Sequence, residues 1–451
     1  MNSIKANLYF AFIFIFSVAT SQVKQPPVKT VFNAAARPKN LSDSALLDLV
    51  QKQTFKYFWD FAHPVSGMAR ERSNQSFGYG NETVTTGGTG FGIMSIIVAT
   101  ERKWITRDTA VKFMLKMVNF LLKANSYHGA FPHWMDGSTG QTIPFSRKDD
   151  GADLVETSYL FEGLLCARQY FNGDNRIERE LRNRIGWMWT GIEWNWFTKE
   201  GQDVLYWHWS PNNGWAMNFP VKGFNECLIM YILAASDEGH YPVPASVYHK
   251  GWVQSDFFKN GKEFYGYKLP LGFDYGGPLF FSQYSFLGLD PRGLKDRYAD
   301  YWEQNKNHTL INHAYCIDNP KKFKGYGENC WGLTASDTYN GYNAFSPTND
   351  EGTITPTAAL SAFPYSPEFS MKALKHFYYD MGDNTWGEYG FKDAFNETTN
   401  WYASSYLAID EGPIVAMIEN YRSGLLWRLF MSCPEIQGGL KKLGFESPWI
   451  K

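Results

Sequence analysis

The sequence predicts an all-α protein, an (α/α)6 toroid, and three observations lead there. Helical periodicity recurs in pairs along the chain. The second helix of each pair is the more uniformly apolar, as an enclosed helix must be, whereas the first keeps a charged face. Each second helix is entered through a glycine-bearing turn, and most of those turns carry an acid. Six hairpins, outer helix alternating with inner, close into a ring whose inner helices point the same way, so that their N-termini surround one mouth. No repeat of fixed period is visible, which argues against an open solenoid.

In order, the pairs are 44–61 and 91–101, 107–125 and 152–171, 177–194 and 224–236, 246–255 and 278–287, 294–316 and 356–362, and 368–381 and 413–420. The six entrances are Thr85-Thr86-Gly87-Gly88-Thr89-Gly90, Asp149-Asp150-Gly151, Val221-Lys222-Gly223, Asp274-Tyr275-Gly276-Gly277-Pro278, Asp350-Glu351-Gly352 and Ile409-Asp410-Glu411-Gly412-Pro413. Strand signals are confined to short pieces such as 204–209 and 264–269. Ahead of the toroid, residues 1–21 read as a signal peptide, with Lys5, an apolar run from Leu8 to Val18 and small residues at the cut. That run is shorter than the roughly 20 residues of a membrane span. Residues 22–40, with Pro26, Pro27 and Pro38, read as a flexible lead-in, and 41–451 as a single domain. The expectation is an exported monomer, periplasmic or secreted.

Composition narrows the partner. With 43 Lys+Arg against 45 Asp+Glu the chain lacks the basic footprint of a nucleic-acid binder, so the partner should be neutral. Aromatics are 18% of residues, with 17 Trp and 27 Tyr, and rings beside amides and carboxylates suit the faces and hydroxyl edges of sugars. A large core would also use them. Five scattered cysteines cannot make a disulfide framework and leave one bridge open, Cys316 to Cys330. No phosphate loop, dinucleotide fingerprint or zinc pattern appears, so neither a cofactor nor a metal is expected.

The chemistry concentrates where acids enter apolar helices. In Asp149-Asp150-Gly151-Ala152-Asp153-Leu154-Val155-Glu156, a helix starting at Gly151 or Ala152 puts Asp153 and Glu156 on one face, with Asp149 and Asp150 just above. Capping accounts for Asp150 and Asp153. It does not account for Glu156, one turn inside, and burying several acids together is costly without a function. Two carboxylates across a neutral polymer are what glycoside hydrolysis needs. Glu226, between Phe224-Asn225 and Cys227-Leu228-Ile229-Met230, has the apolar setting of a general acid. Asp410, ahead of Glu411-Gly412-Pro413, reads as a helix cap, which favours an anion and suits a base. Each acid also reads as a first-turn residue that merely suits the helix dipole. Ring-rich loops supply the expected subsite walls, His133 and Trp134 in one and Trp207, Trp209 and Trp215 in another. Tyr275, Glu328 and Glu411 lie near other entrances. Arg70-Glu71-Arg72, after Trp59 and His63, reads as a surface charge run before it reads as a segment reaching the cleft.

Six ordered motifs make the sequence resemble one family. Phe55-Lys56-Tyr57-Phe58-Trp59-Asp60, Thr86 to Gly90, Asp149 to Glu156, Gly223-Phe224-Asn225-Glu226, Gly277-Pro278-Leu279-Phe280 with Gln283-Tyr284-Ser285, and Asp350-Glu351-Gly352-Thr353-Ile354 resemble the glycoamylase-like domain of glycoside hydrolase family 144. The resemblance runs from about Leu41 to near the end. It implies an (α/α)6 barrel acting on β-1,2-glucan, either endo or exo with release of sophorose, by inversion and without a metal. The essential acids it implies fall on Asp149, Asp153, Glu156 and Glu226, with the base at Asp410 or the adjacent Glu411. Two other classes remain open. A polysaccharide lyase would need a Tyr or His base and a cation for a uronate, and the entrances carry few Arg or Lys; a silent glucan-binding protein would keep rings but not acids.

Overall fold

A computed structural model describes residues 36–74, 80–237 and 239–450. The expected signal peptide and most of the lead-in therefore lie outside the described residues. The helices are α1 (Asp43–Trp59), α2 (Thr86–Glu101), α3 (Arg107–Leu121), α4 (Leu154–Tyr170), α5 (Arg176–Thr190), α6 (Leu228–Ala235), α7 (Tyr301–Asp318), α8 (Pro356–Leu360), α9 (Pro367–Lys375), α10 (Gly382–Thr385), α11 (Ala408–Arg422), α12 (Leu425–Met431) and α13 (Pro434–Lys442). The short strands that matter to the site are β1 (Thr83–Thr85), β2 (Trp134–Asp136), β3 (Thr142–Ile143), β4 (Ala152–Asp153), β5 (His208–Trp209), β6 (Glu263–Phe264), β7 (Tyr267–Lys268), β8 (Ala335–Thr338) and β9 (Gly341–Ala344). All pair antiparallel, β2 between β1 and β3 and the rest in twos.

The inner helices form a closed ring. α2 lies between α4 and α11, α4 packs on α6, α6 meets the 3-10 turn Tyr284–Phe286, and α8 packs on α11. The gap between that turn and α8 is bridged by Gln283 Nε2, which donates to the Ala358 carbonyl at 2.9 Å. Outside the ring, α1 covers α2 and α11, α3 covers α2, α5 covers α4, and α9 covers α8. α2 is buried at every position but its last, while α5 alternates buried and solvent-facing residues, as enclosure and half-burial require.

Several boundaries depart from the periodicity, α7 for instance beginning at Tyr301 rather than Leu294 and α4 at Leu154 rather than Gly151 or Ala152. The glycine-rich stretch expected as the turn before 91–101 is itself helical, because α2 begins at Thr86. The expected helix 278–287 is two 3-10 turns separated by Gln283. α11 begins at Ala408 and carries Pro413 inside it, so Asp410 and Glu411 lie within its first turn rather than ahead of it. α12 and α13 were not anticipated, although Pro434 at the start and Lys441-Lys442 at the end of α13 are ordinary helix punctuation. The end of the lead-in is not loose either. Arg37 is buried and donates to the Tyr378 carbonyl at 2.7 Å, and the Tyr378 hydroxyl donates to the Pro38 carbonyl at 3.0 Å.

Much of the aromatic content is core. Trp194, Trp252, Trp331 and Trp427 are fully buried, as are Tyr57, Tyr231, Tyr248, Tyr301 and Tyr378. All five cysteines are free and buried, so the Cys316 to Cys330 bridge left open by the sequence is not formed. Among the described residues no helix is long and apolar enough to cross a membrane.

Glycine sets the closest crossing. A Cβ on Gly90 would lie 2.1 Å from the Tyr159 carbonyl oxygen of α4, and one on Gly163 would lie 2.2 Å from the Gly90 oxygen. Alanine in a helix gains up to about 1 kcal/mol over glycine, but forcing a methyl against unyielding backbone costs about 1–3 kcal/mol. Gly90→Ala should therefore lower the urea midpoint, whereas Gly186→Ala in α5, with nothing within 4 Å of the new Cβ, should raise it.

Candidate active site

The ring encloses a cavity of about 510 Å³. α4 supplies Glu156 and Tyr159, the segment ahead of α6 supplies Glu226, and the turn after Pro278 supplies Phe280 and Tyr284. Leu407, the cap residue of α11, and Ile409 in its first turn add the next stretch of wall. β1 adds Thr85, β2 adds Trp134, loops add Glu71, Arg72, His133, Phe145 and Trp207, and the β8–β9 hairpin adds Ala335 and Tyr342. That hairpin lies in the long segment between α7 and α8.

Asp153, not Asp150, caps α4. Its Oδ1 accepts the Glu156 N–H at 2.9 Å and the Trp207 Nε1–H at 2.8 Å, while Oδ2 lies 2.9 Å from His133 Nδ1. β4–β5 pairing, Asp153 opposite His208, holds Trp207 in reach. Glu156 turns the other way, where its Oε2 accepts the Gly87 N–H at 2.7 Å from the start of α2. An Oδ2 of Asp149 lies 3.3 Å from His208 Nε2. Asp150 leaves the group, accepting from Ser210 and from Asn212 Nδ2, the latter at 2.7 Å. Its role is to hold the 210–213 turn.

One imidazolium offsets part of the negative charge in this cup. Burial by itself would depress His133, but Glu156, Asp153 and Asp149 reverse that and raise it to about 9. Burial works against the Asp153 anion, yet the His133 hydrogen bond and charge hold it below the usual carboxylate range. Burial, then the nearby Asp153, raises Asp149 to about 7. Asp149, Asp153 and His208 bring one ligand atom each within 4.8 Å of one another, the group among the described residues whose spacing could hold a metal ion. In that group Asp153 is already engaged by His133 and Trp207.

Glu226 shares the cavity wall with Glu156. Its carbonyl is fixed by the Ser285 hydroxyl and, at 3.4 Å, by the Tyr159 hydroxyl, while its Oε2 meets no donor. Burial pushes its carboxyl up to about 7. Across the ring, three places away, Asp410 and Glu411 are buried in α11. Asp410 was expected as a cap whose anion the helix stabilises. Leu407 holds the cap position instead, and burial pushes Asp410 up to about 8 although a hydrogen bond with Asp393 acts the other way. Glu411, raised by burial and then by Asp393, sits near Tyr57 and Tyr406 rather than in the cavity wall.

Several expected binders lie elsewhere. Trp209 and Trp215 join Trp196, with His128 stacked on Trp196 at 3.7 Å, in a ring cluster beside the cavity. Tyr275 packs on Phe264, 4.3 Å between ring centroids, in contact with the β6–β7 hairpin. Glu328 is a surface partner of Lys372. Conversely, Arg70-Glu71-Arg72 is no surface run. Arg72 is buried, gives both Asp337 oxygens a hydrogen bond at 3.0 Å and reaches Glu71 at 2.8 Å. Asp337 in turn gives its N–H to Asp393 at 2.7 Å. Tyr342, Asp337 and Asp393 carry no local signal that would have marked them as part of a site, and Tyr284 stood out only within a family motif.

The raised His133 has a consequence for stability. Its folded value exceeds the ordinary value of about 6.5, so its charge stabilises the fold fully below about pH 6.5, and that contribution is lost as the pH rises through about 9. Asp149, also raised, acts in the same direction through about 7. The stability gap between wild type and His133→Gln, measured by urea unfolding, should therefore be widest in mildly acid buffer and narrow at high pH.

Comparison with known proteins agrees with this architecture. The Glycoamylase family model, described as "Putative glucoamylase", matches residues 218–434. A crystal structure of a Bacteroides uniformis protein of that description is 63% identical, with a TM-score of 0.90 over 92% of this chain and 100% of that one. An endo-β-1,2-glucanase from Chitinophaga pinensis, solved with sophorotriose and glucose, is 56% identical, with a TM-score of 0.88 over 91% of this chain and 100% of that one. An exo β-1,2-glucooligosaccharide sophorohydrolase of Parabacteroides distasonis is 45% identical over 424 residues; the match takes in 89% of this chain and 58% of that relative's length. The identities to proteins covered end to end, together with the shared toroid, show that the chain belongs to glycoside hydrolase family 144, the glycoamylase-like family.

Proposed function

We propose that this protein is an exported glycoside hydrolase that cleaves β-1,2-glucan with inversion, Glu226 acting as general acid and Asp410 as general base. The observation that carries the reading is Glu226, a buried carboxyl in the cavity wall with one oxygen unclaimed and a proton held up to about 7. A group of that kind can protonate a departing glycosidic oxygen near neutral pH. Support for the substrate comes from the relatives, whose names specify β-1,2-glucan or its oligosaccharides.

The steps follow from which groups line the cavity and which lie behind its wall. Trp207, Trp134 and Phe145 offer ring faces for glucose units, and Asp153 with His133 fixes Trp207 and the cup floor. Glu226 gives its proton to the leaving oxygen as the C1–O bond breaks. Asp410, behind the opposite wall next to the lining residue Ile409, takes a proton from the water that attacks C1 from the other face; because burial holds it at about 8, it does so in the minority of molecules that carry it ionised at neutral pH. Acid and base opposed in this way leave room for water between them, the inverting arrangement, in contrast to the roughly 5–5.5 Å separation of a retaining pair. A lyase reading gains nothing from Arg72, since Glu71 and Asp337 already neutralise the guanidinium that lines the cavity.

Three outcomes test this. Glu226→Gln should lower turnover on β-1,2-glucan at least ~100-fold with the fold intact, the usual weight of a general acid; wild-type rates would remove Glu226 from the mechanism. Proton NMR of the earliest product should show the α-anomer, and a β-anomer appearing first would end the opposed-pair assignment. A product time course separates early sophorose alone, meaning exo action, from a ladder, meaning endo action, and no turnover of β-1,2-glucan would remove the substrate assignment.

A further inference from the structure

Outside the cavity, one pair of rings is held in the open. Phe257 is 55% and Phe273 39% exposed, and the two are stacked, 5.0 Å between ring centroids at 27°. They flank the foot of the β6–β7 hairpin, where the Gly272 N–H donates to the Phe258 carbonyl at 2.8 Å and the Gly261 N–H to the Leu269 carbonyl at 2.8 Å. Backbone pairing, rather than burial in a core, therefore fixes the ring pair. Both rings line a groove of about 460 Å³. Contiguous exposed rings rimmed by polar groups mark an interaction site.

Three segments join this groove to the cavity. Phe280 lines the cavity, Phe281 packs on Phe280 at 4.8 Å between centroids, and Phe281 meets Phe273 at 6.1 Å. The Phe224 N–H, two residues before Glu226, donates to the Phe257 carbonyl at 3.4 Å, and a Cβ on Gly223 would lie 3.1 Å from the Phe257 Cβ. β9 gives Tyr342 to the cavity, and the turn after it gives Thr348 to the groove. The groove's charges cancel, Lys259 and Lys262 standing against Asp256 and Asp274. Lys262 Nζ donates to both Asp274 oxygens, at 2.8 and 2.9 Å, and Asn260 Nδ2 reaches Asp274 Oδ1 at 3.3 Å, so the rim is fixed although solvent reaches it. Fixed polar groups around flat rings suit an uncharged polyhydroxyl chain. A polyanion would need an excess of cations.

Resting on the reading of the cavity as a β-1,2-glucan site, the geometry points to a second, outer glucan subsite in this groove. A glucose unit of a chain running out of the cavity packs its apolar face on the Phe257–Phe273 pair and turns hydroxyls toward Lys262, Asp274 and Thr348. No bond is made or broken there. The subsite adds affinity only for chains long enough to occupy cavity and groove together, since the second contact then forms within a chain already bound.

The test compares long with short substrate. In Phe257→Ala combined with Phe273→Ala, the ratio of kcat/KM on long β-1,2-glucan to kcat/KM on the shortest β-1,2-oligosaccharide that is cleaved should fall about 5-fold or more, through KM, as the loss of a ring contact requires. A ratio equal to that of wild type overturns the subsite, including the case where both rates fall together, because that is a disturbance passed to Glu226 through Phe224. Should the double alanine variant not fold, Phe257→Leu with Phe273→Leu carries the same expectation, since it keeps apolar volume and removes the flat faces. A second measurement needs no turnover: Glu226→Gln should be retarded in a native gel containing long β-1,2-glucan, and adding the two alanines should reduce that retardation. Equal retardation overturns the subsite. If wild type neither cleaves nor is retarded by β-1,2-glucan, the substrate assignment fails; retardation by β-1,3- or β-1,4-glucan that the two alanines reduce would then keep the groove, and retardation by none of the three would sink it as well.

Discussion

Everything in the site depends on how closely α2 approaches α4. Gly90 and Gly163 let the two backbones meet with no side chain between them, and Gly88 and Gly412 do the same where α2 meets α11, at Ala408 and Phe91. The contact fixes more than packing. It brings the start of α2 so near α4 that the Gly87 N–H becomes a ligand for Glu156, and a Cβ on Gly87 would fall 2.6 Å from that carboxylate. The same glycines that close the ring thus settle an acid that would otherwise be buried without a partner.

Each remaining acid is accommodated in a different way. Asp153 is satisfied by a helix N–H, an indole and an imidazolium. Asp337 is satisfied by a guanidinium and the Ser405 hydroxyl at 2.5 Å. Glu226, Asp410 and Glu411 each keep an oxygen with no donor. An unpaired buried carboxyl oxygen is normally eliminated because it costs stability; Glu226 keeps one in the cavity wall and Asp410, Glu411 and Asp393 keep theirs outside it, as does Glu162 in α4. Satisfied acids shape the cup; unsatisfied ones retain a proton that can be moved.

Inner helices were legible because enclosure leaves an unbroken apolar signature, and Glu226 and Glu156 stood out against it. Helix starts were less legible, since Thr86 rather than Phe91 begins α2 for a tertiary reason, the approach of Glu156. The base side of the cavity was almost invisible. Arg72 and Asp337 are 265 residues apart, Asp337 and Asp393 another 56, and none sits in a periodic element that would announce a shared site. Counting rings could not separate Trp207, which turns to Asp153, from Trp209, which turns to His128. Nor could it show that four other tryptophans are pure core.

The five free cysteines bear on how such a chain is made. Cys166 and Cys433 approach one another in the core, and Cys316 and Cys330 share a second core region. Burial raises all five thiols above their ordinary value, so in the finished fold almost none is thiolate and none is an easy target for oxidation. The unfolded chain has no such protection. If the chain is exported into an oxidising compartment, collapse of the ring must outrun thiol exchange, because every pairing the chain could make on the way would be one the native state does not contain.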